Sequence, residues 1–244
     1  MRFIIKEQPY EKLISAGQYR YEIENKPTGA VESWRVTAVT DGYQFLRVDL
    51  DAREAKSGHS YLYHAVLNPE EQVERLKFRF WGEGLEIVGD VVLDEEAVTV
   101  TRKVNGTDYD QVLDLPKNYR FWFPSVAGLH FAGWRGNDPK TAVTLNSQIG
   151  GPDTLAAQVV TFDYHMLITD YMEMEIAGQL RKYVPHKLAW NDQIRIILRS
   201  YDETRWPLGM VRMEKDYVEG LTAVATQYIK YLSSRRGQND LSTL

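Results

Sequence analysis

Apolar and polar residues alternate with a period of two along most of this 244-residue chain, and that pattern admits few folds. Period two is the signature of a half-buried β-strand, whose successive side chains point to opposite faces. Over residues 18–24, Tyr19, Tyr21 and Ile23 share one face, and Arg20, Glu22 and Glu24 take the other. Trp34, Val36 and Ala38 then share a face opposite Ser33, Arg35 and Thr37, and Leu46, Val48 and Leu50 oppose Phe45, Arg47 and Asp49. Asp41-Gly42 between these runs is a two-residue hairpin signal, and Asn105-Gly106 is another.

The rhythm continues through residues 61–67, 73–81, 85–93, 98–104 and 108–115, with Leu76, Phe78 and Phe80 on one face of the second run. It resumes over residues 141–148, 155–170, 172–181, 187–200 and 209–217. Alternation with one polar face and short turns predicts antiparallel pairing of neighbours, a meander. A sheet of more than about ten strands must curl or close. The expected fold is therefore all-β: one highly curved antiparallel meander, a β-roll or incomplete barrel, with little helix. No linker interrupts it, so residues 1–234 are expected to form a single domain, with 235–244 a flexible polar tail.

Three segments depart from the pattern. Residues 9–14 read as a short helical turn opened by Pro9. Residues 221–232 fit helical and strand spacing alike, and their Thr, Val, Tyr and Ile content favours a strand. Residues 116–139 have no clean period, yet hold Trp122, Trp134 and three glycines. So long a connection within a compact domain is usually functional or hides a short helix.

Composition excludes several classes of function. With no cysteine there is no disulfide framework, thiolate metal site or cysteine nucleophile. A formal charge of -5 argues against nucleic acid as a partner. The apolar run near the start, Phe3-Ile4-Ile5, is too short for a signal-peptide core, and no run is long enough for a spanning helix. A cytoplasmic location with no membrane span is the expectation. Oligomeric state cannot be read from the sequence.

Catalytic motifs are equally scarce. There is no GxSxG elbow, phosphate loop, dinucleotide fingerprint or HExxH, so no cofactor is expected. His59 and His64 fall on opposite faces of one strand, whereas Asp163 and His165 share a face. A metal site would need His64 and His165 brought together with a carboxylate such as Asp163, and none is assigned. Glu173 and Glu175 alternate with Met172 and Met174, as on a solvated face.

The aromatic residues, 12% of the chain, carry the main functional signal. Most can be explained as packing on pleated faces. The cluster Phe121-Trp122-Phe123 and Phe131-Ala132-Gly133-Trp134-Arg135 lies outside regular strands and suits a ligand cavity. Residues 161–168 present an apolar face, Phe162, Tyr164, Met166 and Ile168, and a mixed face that holds Asp163 and His165. Such a strand could separate a dry core from a semi-polar cavity.

The stretch Ser200-Tyr201-Asp202-Glu203 followed by Trp206-Pro207-Leu208-Gly209-Met210, with the strand of residues 193–198 before it, brings a resemblance into view. Together with Gly17-Gln18-Tyr19-Arg20-Tyr21 and the turns at Gly29 and Asp41-Gly42, it resembles the end and opening of a group of proteins of unknown function. These are similar to glycolipid-binding and lipoprotein-carrier proteins built as a spiral β-roll. The resemblance implies lipid-like ligands and supplies no catalytic residues.

The reading that follows is non-catalytic binding of a hydrophobic or amphiphilic small molecule. Trp122, Trp134, Tyr164 and Phe80 would form the wall, and His64, His165 and Arg135 the polar anchors. Two alternatives stay open. One is an isomerase or hydratase of a lipid-like substrate with His165 or Asp163 as acid or base. The other is a scaffold or oligomerisation module using an exposed sheet edge.

Overall fold

The structure, a computed structural model, describes residues 7–56, 58–116, 118–133, 140–214 and 217–230. The chain is a run of strands: β1 Lys12–Ile23, β2 Lys26–Ala38, β3 Gln44–Ala52, β4 His59–Leu67, β5 Val73–Gly82, β6 Leu85–Leu93, β7 Ala97–Val104 and β8 Thr107–Asp114. After an irregular passage come β9 Arg120–Trp122, β10 Thr141–Leu145, β11 Ala157–Met166, β12 Met172–Ile176, β13 Gln179–Trp190, β14 Gln193–Ser200, β15 Pro207–Glu214 and β16 Tyr217–Lys230. Helix is confined to two 3-10 segments among the described residues, Thr40–Gly42 and Gly128–Gly133.

All sixteen strands belong to one sheet in the order β8-β7-β6-β5-β4-β3-β2-β1-β16-β15-β14-β13-β11-β10-β9, with β12 paired to β13 off this path. Strands β1 to β8 form a meander, and β1 beside β16 joins it to the second half, where β11 pairs with β13 past β12. Pairing is antiparallel except between β9 and β10, which are parallel. The all-β, curved and open sheet expected from alternation is what forms.

The hairpins follow turn chemistry. Asn105 and Gly106 have φ of 48° and 88°, the left-handed pair that a two-residue turn needs to match strand twist. Asp41 and Gly42 have φ of 59° and 81° within the first 3-10 turn.

Side chains, rather than backbone pairing, bring the far ends of the sheet together. The Gln111 amide on β8 donates to the Ala157 carbonyl on β11 at 3.3 Å and accepts from the Ala157 N–H at 3.1 Å. On β7, Arg102 donates to the carbonyls of Pro152 at 2.7 Å and Thr154 at 2.9 Å. The sheet is thus rolled until its first strands face the second half. Inward rows such as Trp34, Val48, Tyr63 and Phe78 run across four strands in direct register. All four are buried. At the end of this row Gly89 pairs with Phe78, and a Cβ there would lie 2.1 Å from the Phe78 ring. A side chain at residue 89 would displace the aromatic that fills this corner.

The outer face carries a buried charge pair. Both oxygens of Glu11 accept from the Arg47 guanidinium at 2.6 Å, and the Thr37 hydroxyl donates to the same carboxylate at 2.6 Å. The segment before β1 covers this pair, whose side chains are 7% and 0% exposed. The bidentate guanidinium holds the Glu11 carboxyl down at about 2, against the cost of burial.

Several local expectations change. Residues 9–14 are a turn at Pro9 and Tyr10 that leads directly into β1 at Lys12, because pairing with β2 and β16 outweighs a single helical turn. Residues 221–230 are strand, as their composition favours. Ile23 does not join Tyr19 and Tyr21 inside. A register shift between Arg20 and Glu22 turns Glu22 in and leaves Ile23 47% exposed. In β11 the apolar face does turn inward at Phe162 and Tyr164. The Asp163 and His165 face looks to solvent, so it bounds no cavity. The expected tail over 235–244 lies outside the described residues.

Candidate functional site

The irregular passage after β9 folds into the interior of the roll. Phe121, Trp122, Phe123, Val126, Ala127, Leu129 and Phe131 are all buried there. Buried backbone without a ladder needs other hydrogen-bond partners. Ser125 provides the first: its hydroxyl accepts from the Gly128 N–H at 2.8 Å, capping the 3-10 helix.

Two charges on opposite halves of the sheet provide the rest. Glu32, on the inward face of β2, accepts from the N–H groups of Val126 at 2.9 Å and Ala127 at 2.8 Å. The Tyr21 hydroxyl donates to the same carboxylate at 2.6 Å. Arg199 on β14 donates from one nitrogen to the carbonyls of Leu129 and His130, both at 3.0 Å. Its other nitrogens reach the Arg205 carbonyl and the Tyr164 hydroxyl. The anion meets N–H groups just ahead of the 3-10 helix, the favourable end for a negative charge, and the cation takes carbonyls within its first turn.

The titrations follow from burial. Desolvation pushes the Glu32 carboxyl up, opposed by its three donors. Desolvation and the neighbouring Arg199 hold His130 well below the ordinary imidazole range. Its Nδ1 faces the guanidinium at 3.4 Å and can only accept there, which fixes the neutral tautomer. Tyr164 is raised mainly by burial, and its ring stacks on His186 at 5.4 Å.

Beside this clamped segment the roll leaves a cavity of about 470 Å³. Ser125, Val126 and Leu129 of the segment form one wall, so the Glu32 contacts set its shape. Tyr21, Tyr61, Trp122 and Trp190 supply an aromatic lining, and Leu145 and Met210 an aliphatic one. Trp122 and Trp190 meet edge to face at 5.5 Å. Each also carries a buried indole N–H with no hydrogen-bond partner among the described residues. Arg195 and Arg212, directly paired across β14 and β15, line the same space, and the exposed Asp192 and Gln148 lie at its rim.

The residues expected from sequence divide around this geometry. Trp122 lines the cavity. Phe80 lies behind it, fully buried and packed at 4.8 Å on Tyr61. Tyr164 belongs to the Arg199 cluster. His64 points outward into a separate surface hollow of about 670 Å³ over β4 to β8, where ion pairs already join Lys103 to Asp108 and Arg75 to Asp90. His165 is exposed and bonded at 3.1 Å to Asp163. Among the described residues no three of His, Asp and Glu are grouped to hold a metal, so the His64, His165 and Asp163 arrangement does not form. Trp134 and Arg135 lie outside the described residues.

Sequence reasoning passed over Glu32, Arg195, Arg199 and Trp190. A signal existed for the first: Glu32 is in phase with Trp34 and Val36, so alternation alone turns it inward. Arg195 and Arg199 are in phase with Ile197 and opposite Ile194, Ile196 and Leu198, so alternation alone turns the two arginines outward, the reverse of what the roll does. No helix among the described residues is long and apolar enough to cross a membrane. Comparison with known proteins finds no matching family model, curated protein or solved structure.

Proposed function

We propose that this protein binds a hydrophobic or amphiphilic small molecule in the cavity between the two halves of its rolled sheet. The observation that carries this reading is the space lined by the aromatic side chains of Tyr21, Tyr61, Trp122 and Trp190 beside the clamped segment. The volume of about 470 Å³ falls in the range of small-molecule sites. Most of the wall is apolar and a few polar groups converge on it, the usual division between affinity and orientation. The acid or base role of His165 or Asp163 draws no support from an exposed pair on the outer face.

The test is titration of the purified chain with Nile red, a neutral apolar dye, with dodecanol as competitor. Saturable one-to-one binding, displaced by dodecanol and weakened by Met210→Trp, is expected. Absence of saturable dye binding, or binding that dodecanol does not displace, would overturn the reading.

A further inference from the structure

We infer that the seam of the roll, between β8 and β11, is a docking site for an extended cationic segment of another protein, which inserts there as an antiparallel strand. β8 ends the sheet on one side. Val104 lies opposite Thr107 across the Asn105-Gly106 turn, and the Leu115 N–H bonds to the Glu96 carbonyl at 2.7 Å. The odd-numbered residues of β8 therefore point their main-chain groups at β7, and Asp108, Asp110, Val112 and Asp114 point theirs away. On β11, the Ala156 carbonyl and the Phe162 N–H bond on the β10 side, to Asn146 at 2.8 Å and Lys140 at 3.1 Å. Ala157, Val159 and Thr161 thus direct theirs to the opposite side, where the Gln111 amide takes both groups of Ala157. The main-chain groups of the other six residues have no backbone partner across the seam among the described residues. Rows of this kind are templates for another strand.

Direction and charge select the occupant. Arg102, paired with Tyr109, reaches the carbonyls of Pro152 and Thr154, and Gln111 reaches Ala157. The two edges therefore run the same way, so a strand antiparallel to β8 is antiparallel to β11 as well, which continues the pattern of the sheet. Asp108, Asp110 and Asp114 are exposed on the outer face of β8, with Val112 among them 68% exposed. Lys103 pairs with Asp108 at 3.3 Å, and no ion pair meets Asp110 or Asp114 among the described residues. A second copy of this chain is a poor occupant, because antiparallel pairing of β8 with itself sets aspartate against aspartate. A strand with Lys or Arg at alternate outward positions meets the acids favourably, and apolar residues between them face inward beside Leu113 and Val160. The aspartates thus turn away further copies of the chain and admit a cationic strand.

The experiment measures binding of short fluorescein-labelled peptides to the full chain by anisotropy. One peptide alternates Lys and Val, a second alternates Glu and Val, and two more are the Lys–Val sequence N-methylated at every second amide, in either phase. The Lys–Val peptide should bind saturably and about tenfold more tightly than the Glu–Val peptide. Methylation in either phase should abolish binding, because an inserted strand uses both of its edges. With the Lys–Val peptide bound, the amides of Asp110, Val112, Val159 and Thr161 should exchange more slowly. Val112→Pro removes an N–H that points away from β7 and should weaken binding about tenfold. Asp110→Lys combined with Asp114→Lys should shift the preference to the Glu–Val peptide. Absence of saturable Lys–Val binding overturns the inference, and so does equal binding of the Glu–Val peptide. Binding that survives methylation in both phases is charge attraction alone and overturns strand insertion. Slowed exchange confined to β8 overturns the part assigned to β11. Unchanged affinity in Val112→Pro, with unchanged circular dichroism, overturns the part assigned to the β8 edge.

Discussion

Glu32 and Arg199 grip adjacent stretches of the same buried segment from opposite halves of the sheet. The carboxylate takes the N–H groups of Val126 and Ala127, and the guanidinium takes the carbonyls of Leu129 and His130. Neither charge makes an ion pair with the other; each is solvated by peptide dipoles. The interior of the roll is therefore organised by its backbone, and the segment that forms one wall of the cavity is fixed by two side chains outside it.

The first prediction concerns that clamp. Glu32→Gln removes the charge and leaves at most one good acceptor for three donors, which should cost about 1–3 kcal/mol. Arg199→Met strands several buried carbonyls and should cost about 3–5 kcal/mol. Because both variants free one segment, the double variant should lose less than the sum by roughly 0.5–3 kcal/mol. Urea unfolding of the four proteins measures this directly, and strict additivity would mean that the two contacts act independently.

Acid should destabilise the fold in two stages. Burial holds His64 and His186 down at about 4, and burial together with Arg199 holds His130 well below the ordinary imidazole range. The unfolded chain protonates these rings near 6.5, so their contribution is complete above that value and is lost as pH falls towards 4. Glu11 follows, with stability present above 4.5 and lost as pH falls towards about 2. Glu32 works in the opposite sense. Its raised carboxyl contributes below 4.5 and that contribution is lost as pH rises, but one carboxyl opposes three imidazoles. The urea midpoint should therefore drop between pH values of about 7.5 and 5. The loss should be roughly 1 kcal/mol for each of His64 and His186 once solvent screening is allowed for. A midpoint that rises over this interval would contradict the burial of these rings.

Gly89 tests the packing of the inward row. A methyl group there would lie 2.1 Å from the Phe78 ring, so Gly89→Ala should destabilise by about 1–3 kcal/mol. Phe78→Leu should restore part of that loss in the double variant while being destabilising alone. Thermal unfolding monitored by near-ultraviolet circular dichroism would report both.

Gln111→Leu tests how the roll is held shut. Its amide makes the reciprocal bonds to Ala157 that a neighbouring strand would otherwise make. Losing them should cost about 1–2 kcal/mol and speed hydrogen exchange at the Ala157 amide more than at amides of β13 and β14. Uniform acceleration across the sheet would instead indicate a global effect.

Alternation of side chains was sufficient to read the all-β class, the successive pairing of β1 to β8 and the inward set from Trp34 to Phe78. These depend on local chemistry: a period of two, left-handed turn residues and one apolar face. The pairing of β1 with β16 and the parallel step from β9 to β10 join residues far apart in the chain, and no local pattern encodes them. The candidate site divides in the same way. Trp122 stood out because it breaks the strand rhythm, and Glu32 was marked by its phase with Trp34 and Val36. Tyr61 and Trp190 look like ordinary strand aromatics until rolling places them around one space. His165 and Asp163 do form the close pair that an offset of two residues implies, but a strand pattern does not say which of its faces the roll encloses. That choice belongs to the tertiary structure, because inside and outside are properties of how the whole sheet bends around the segment clamped by Glu32 and Arg199.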